Sequence, residues 1–319
     1  MVRRSVMSRK VRALAASAVL VLLLLAMAGC EAAGGTPLKY RLKAGQSYTY
    51  DLAMAVKGSA QGPDISALDG LIPKDGSIKA RMTMSVKEVR DGISTIEYSY
   101  QDIETASQGG TETTPADPMP NITLKIDQRG QVVSVESGGR SLPMGLGGGL
   151  DLSSFANQTG LVFPDAGSAK PGDEWAASTT CPVPGMGQEV SATTKAKLLS
   201  VSEEGGRTLA KVEFSVDAPL DVSLDLAAMI REMGLAGTLP TDVDLSTLAF
   251  KMTIKGAESM KGTAQIDTAT GLPTLFDSDI LLKMAIDILE APEDLVPADQ
   301  RGPFNIDLAV NVKLTQVGK

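Results

Sequence analysis

The groups best equipped for chemistry in this chain are two cysteines, Cys30 and Cys181, and 14 methionines; histidine is absent. Without histidine there is no histidine-based triad, no histidine-ligated zinc or haem, and no ordinary proton shuttle near neutral pH. Two cysteines cannot build a four-cysteine metal site. Thioethers suit Cu(I), but Met82 and Met84 share one strand face with Ile78 and Val86, so core packing accounts for them. The same adaptable side chains would also suit a pocket for a greasy ligand. Carboxylates are plentiful but alternate along strand faces and turns. Asp221, Asp225, Asp242 and Asp244 lack the spacing of a calcium loop. No Gly-x-Ser-x-Gly elbow occurs, and Gly145-Leu146-Gly147-Gly148-Gly149 lacks the Lys-Ser/Thr of a phosphate loop. The expectation is a non-catalytic protein with no cofactor and no metal ligands.

Chemistry of another kind points to Cys30. Arg3, Arg4, Arg9, Lys10 and Arg12 precede an apolar run from Ala13 to Met27, which closes on Ala28, Gly29 and Cys30. A basic start, an apolar stretch too short for an ordinary membrane span and small residues at its end describe a secretory signal. The tail Met27-Ala28-Gly29-Cys30 resembles the lipobox of bacterial lipoproteins, with Met27 where leucine is commoner. That resemblance implies cleavage between Gly29 and Cys30, diacylation of the Cys30 thiol, and often acylation of the new amine. It also implies an exported protein anchored through its acyl groups. Glu31 stands where an aspartate would signal inner-membrane retention. The expected site is therefore the outer membrane of a diderm organism, or otherwise the outer face of the plasma membrane. In an oxidising compartment Cys181 has neither a cysteine partner nor a histidine, and reads as a small hydrophobe.

Cleavage before Cys30 takes five basic residues and no acidic one from a formal net charge of −8, giving −13. Such a charge argues against nucleic acid as a partner and against electrostatic docking on anionic lipid, leaving attachment to the acyl chains. Residues 32–36, Ala-Ala-Gly-Gly-Thr, read as a short tether.

Beyond the tether, apolar residues recur with period two. Tyr48, Tyr50, Leu52, Met54 and Val56 form one such series, and Ile78, Ala80, Met82, Met84 and Val86 another. Ala210, Val212, Phe214 and Val216 alternate with charged and polar residues. The clearest series is Phe304, Ile306, Leu308, Val310, Val312 and Leu314. Long strands with one wet face describe an antiparallel sheet curled on itself.

The chain also repeats itself. Lys43-Ala44-Gly45-Gln46-Ser47-Tyr48 matches Lys170-Pro171-Gly172-Asp173-Glu174-Trp175, each opening a strand. The hairpin pattern Val86–Tyr100 matches Leu198–Phe214. The turn Ile126-Asp127-Gln128-Arg129-Gly130 matches Ile266-Asp267-Thr268-Ala269-Thr270-Gly271, in the same order. Between the copies, Ser137–Gly149 carries six glycines and supports no regular strand. One stretch changes period. Leu226, Met229, Ile230 and Met233 fall at i, i+3, i+4 and i+7, between Asp225 and Gly234, as in a short amphipathic helix.

Lipobox, duplicated sheet and inserted helix together resemble an uncharacterised family of bacterial lipoproteins of unknown function. More distantly they are similar to the half-barrel fold of the lipoprotein-localisation carrier and the mycobacterial-type lipid-binding lipoproteins. The pattern Ile266-Asp267-x-x-Thr270-Gly271-Leu272-Pro273 carries that likeness.

The expected fold is all-β, or β-rich α+β. Long antiparallel strands form a curled sheet, half-barrel or barrel from two related β units, with one or two short helices. The expected organisation is a signal peptide (1–29), a lipidated tether (30–36), a first β unit (37–137), a Gly-rich linker (138–168) and a second β unit (169–319). The second unit carries the helix at about 225–234. Two functions stay open. One is a membrane-anchored envelope protein binding a lipid or other apolar ligand on a concave face made by Met82, Met84, Leu226, Met229, Ile230 and Met233. The other is a structural or protein-interaction lipoprotein with no small-molecule ligand. A continuous apolar cavity favours the first, a packed interior the second.

Overall fold

The computed structural model describes residues 35–62, 75–107, 110–114, 121–137, 161–183, 188–225, 250–291, 293 and 296–318. The strands, in chain order, are β1 (Thr36–Pro37), β2 (Ser47–Gln61), β3 (Asp75–Arg90), β4 (Ile93–Ser107), β5 (Gly110–Thr114), β6 (Ile122–Ile126) and β7 (Val132–Ser137). They continue as β8 (Ser168–Ala169), β9 (Glu174–Val183), β10 (Gln188–Glu204), β11 (Arg207–Asp225), β12 (Lys251–Asp267), β13 (Leu272–Glu290) and β14 (Phe304–Gln316). Eleven of them run in one antiparallel path, β7-β6-β4-β3-β2-β14-β13-β12-β11-β10-β9. β5 adds to β4, and β1 pairs with β8 apart from the path. The fold is all-β, a barrel-like sheet with β7 and β9 as its edges. Helix among the described residues is confined to one 3-10 turn, Ala298–Gln300.

Alternation in sequence becomes alternation in burial. Along β14, Phe304, Ile306, Leu308, Val310, Val312 and Leu314 are buried, while Asn305, Asp307, Asn311 and Lys313 are exposed. A side-chain period of two leaves one register that hides all six, and each one-residue slip would expose them. The buried residues of β2, β3, β4, β6, β10, β11, β12 and β14 join in a single core. Each fully buried large apolar side chain contributes about 1.5–3 kcal/mol. Ion pairs such as Lys197–Glu174 (2.7 Å) lie on the exposed side and add little.

The repeat is geometric as well as sequential. The Gly45 amide donates to the Val86 carbonyl (2.8 Å) and the Val86 amide to the Gln46 carbonyl (2.9 Å). The Gly172 amide donates likewise to Leu198 (2.7 Å) and the Leu198 amide to Asp173 (3.0 Å). Tyr48 and Trp175 are each the second residue of a strand, facing Met84 and Ala196, each two residues before the matched pair Val86 and Leu198. A β-bulge follows each of that pair, between Val86 and Glu88 and between Leu198 and Ser200. Both hairpins turn on two residues of positive φ, Asp91 and Gly92 in one and Gly205 and Gly206 in the other, as a two-residue hairpin matching the strand twist requires. In the third matched pair, Asp127 Oδ1 accepts from the Arg129 amide (2.8 Å) and Asp267 Oδ1 from the Ala269 amide (2.9 Å).

The end of the barrel that carries these tight turns is closed by two straps. In residues 38–43, Leu38, Tyr40 and Leu42 are buried. Their backbone is tied to three turns: Leu38 N–H to Gly167 O (3.0 Å), Tyr40 N–H to Gln128 O (2.8 Å) and Arg41 N–H to Thr270 O (2.8 Å). The second strap, residues 161–169, buries Leu161, Val162 and Phe163. The Phe163 ring lies 5.1 Å from that of Tyr40, and Trp175 Nε1 donates to the Val162 carbonyl (2.6 Å). Residues 161–168, expected as the end of a glycine-rich linker, are therefore packed structure, because three consecutive large apolar side chains find the open end of the sheet. Asp225, expected beside the start of a helix, instead closes β11, opposite Lys251.

Candidate functional site

Of the residues expected on a ligand face, Met82 and Met84 project from β3 into the core, at 5% and 2% exposure. They line a cavity of about 40 Å³ with Tyr40, Tyr50, Tyr98 and Leu314. A space of that size holds water molecules; pockets for small molecules begin at roughly 300 Å³. Gly29, Cys30, Leu226, Met229, Ile230 and Met233 lie outside the described residues, as do Asp242 and Asp244. The structure thus brings Met82 and Met84 together. Cys181 falls within β9, opposite Val190.

Around this cavity burial pushes the Tyr98 phenol up to about 12 and raises those of Tyr40, Tyr50 and Tyr100 also, so all four are neutral. The Tyr50 hydroxyl is buried with no hydrogen-bond partner within bonding geometry; the Gln316 side chain works against the upward shift but is outweighed by burial. A buried unsatisfied hydroxyl costs stability, whereas an apolar replacement of the same shape does not. Tyr50→Phe is therefore expected to be neutral or to stabilise the fold by up to about 1 kcal/mol, read as an unchanged or raised Tm.

A second inward-facing feature was not anticipated. On β12, Ile266, Ala264 and Met260 are buried at alternate positions, and continuing that phase places Glu258 on the inner face. Its register neighbours are Ala218 on β11 and Leu282 on β13. Desolvation by these apolar surroundings raises the Glu258 pKa above the ordinary carboxylate value. The folded chain then holds the Glu258 proton more tightly than the unfolded chain. Its contribution to stability falls as pH rises from the unfolded pKa through the folded one, and the penalty persists above both. Glu258→Gln is expected to stabilise the protein at neutral pH and to remove that part of the pH dependence, measured by denaturant titration across the acidic range. The signal for Glu258 was present in the sequence, as the period-two phase of β12.

Past Glu258 the inner wall of β12 and β13 is only half-buried at Ile254, Gly256, Leu282, Met284 and Ile286. Among the described residues no group of three or more acidic or cysteine side chains could hold a metal ion. No helix among them is long and apolar enough to cross a membrane.

No protein-family model matches this chain, and no curated protein does. Among solved structures, one of Salmonella typhi OmpF in complex with daunomycin aligns over 88% of this chain and 100% of that chain, at 8% identity and a TM-score of 0.20. A TM-score so low carries no argument about fold or function.

Proposed function

We propose that this chain is a non-catalytic lipoprotein of the cell envelope, held to its membrane by acyl groups on Cys30, and that its barrel acts through its outer surface as a structural or protein-interaction body. The observation that carries this reading is the close packing beside the expected ligand face: the cavity that Met82 and Met84 line is only about 40 Å³. Exposed leucines support it. Leu281 (50% exposed) and Leu289 (60%) alternate with the inward-facing residues of β13 and offer apolar contacts to a partner. Acylation at Cys30 rests on the lipobox, and the absence of an aspartate at position 31 favours the outer membrane in a diderm organism.

A second reading, an apolar ligand held on the concave sheet, is favoured by the half-buried wall around Leu282, Met284 and Ile286. Mass spectrometry of the protein purified gently from membranes separates the two. The interaction reading expects no stoichiometric lipid beyond the acyl groups on Cys30. A bound lipid present one-to-one would overturn it in favour of the ligand reading.

A further inference from the structure

The strap that closes the barrel alternates apolar and basic residues: Leu38, Tyr40 and Leu42 point inward, Lys39, Arg41 and Lys43 do not. The three cations line an open groove of about 350 Å³ together with Gln128, Ser94 and Val89. Salt bridges elsewhere take up Lys87, Arg129, Lys197, Lys251, Arg301 and Lys313, but none of the three strap cations has an ion-pair partner among the described residues. Three acids adjoin lining residues in sequence, Glu88, Asp91 and Asp127, and none lines the groove; Asp127 Oδ1 accepts from the Arg129 and Gln131 amides. Three cations without an ion-pair partner among the described residues thus share one groove in a chain that is acidic overall. The backbone that carries them is held in place, because the amides of Leu38, Tyr40 and Arg41 are bonded to three separate turns.

We propose that this groove is a docking surface for the phosphate headgroups of an anionic bilayer, seating the strapped end of the barrel on the membrane. Charge complementarity carries the assignment: net negative charge repels the rest of the barrel from such a surface, while the strap attracts it. Val89, 40% exposed beside the cations, supplies the apolar tip that an interfacial contact uses. An open groove suits a headgroup layer better than a single enclosed anion. Six residues link Cys30 to Thr36, a reach of at most about 20 Å when fully extended, so an anchor at Cys30 would keep the strap near the bilayer. Only this last point rests on the lipoprotein reading, and the binding itself does not.

The test uses residues 30–319 carrying Cys30→Ser, so that neither acyl groups nor the basic, apolar leader of residues 1–29 can bind the vesicles. Sedimentation is measured with phosphatidylcholine vesicles and with vesicles of equal parts phosphatidylcholine and phosphatidylglycerol. Salt-sensitive binding is expected to the second only, and Lys39→Gln/Arg41→Gln/Lys43→Gln should weaken it on the order of a hundredfold. The variant Lys211→Gln/Lys255→Gln/Lys261→Gln removes equal charge from exposed positions of β11 and β12 and should bind as the parent does. Equal losses in both variants, or no loss in the strap variant, would overturn the proposal. So would stronger displacement by inorganic phosphate than by chloride at equal ionic strength, which would reassign the groove to a free phosphate. Failure of Cys30 acylation would leave all these outcomes unchanged.

Discussion

Cys30→Ser is expected to leave a full-length precursor that carries no acyl groups and is not processed by the lipoprotein route. The lipobox reading makes the thiol the acyl acceptor, and the acyl chains supply about 0.8 kcal/mol for each CH₂ that the bilayer buries. One such chain holds marginally, whereas two or three hold firmly, so losing the acceptor removes stable anchoring rather than grading it. Within the mature sequence little else would replace it, since residues 30–319 are strongly acidic. The strap cations leave at most a weak association that salt abolishes. Intact mass measures the effect, because the variant keeps residues 1–29 and gains no acyl mass. A wild-type mature N-terminus anywhere but Cys30 would remove the basis of the anchored reading.

The strand faces were legible because each strand is long and wet on one side. Phe304 to Leu314 alternate without a break, and a period of two over that length has few other physical readings. The repeat was legible for a related reason. A two-residue hairpin demands positive φ, and Asp91-Gly92 and Gly205-Gly206 announce it in both copies. The closure of the barrel end was not legible in this way. The strap of residues 38–43 is held by carbonyls of Gly167, Gln128 and Thr270, contacts that span much of the chain and leave no local periodicity. Leu161-Val162-Phe163 did carry a signal, an apolar run at the end of a glycine-rich stretch, but composition alone assigned it to the linker. The small volume beside Met82 and Met84 could not be read from sequence either, because it depends on how Tyr40, Tyr50 and Leu314 meet across the sheet. Glu258 shows the reverse case, a residue whose strand phase placed it inside while its charge argued for solvent.

Gly271→Val is expected to destabilise the protein by roughly 3 kcal/mol or more, since a strained φ and a displaced backbone are paid together. Gly271 sits at φ +78°, where a β-branched side chain is strained, and a Cβ there would lie 2.3 Å from the Lys39 carbonyl oxygen and 2.9 Å from the Tyr40 Cα. Both are backbone atoms, so no rotamer relieves the contact, and the strap must lift away from the Thr270 carbonyl. Gly45 provides the control. Its φ is +82°, but nothing lies within 4 Å of the added Cβ, so Gly45→Val should carry only the backbone strain of about 1–2 kcal/mol. The difference between the two variants measures what the strap contributes to the fold. Trp175 is the single tryptophan, and its indole N–H is bonded to Val162 in the second strap, which is tied to the first by the Leu38 amide donating to the Gly167 carbonyl. Lifting the first strap should therefore red-shift Trp175 emission in Gly271→Val and leave it unchanged in Gly45→Val. Equal destabilisation in both, with no change in emission, would show that the straps lie on the barrel without stabilising it.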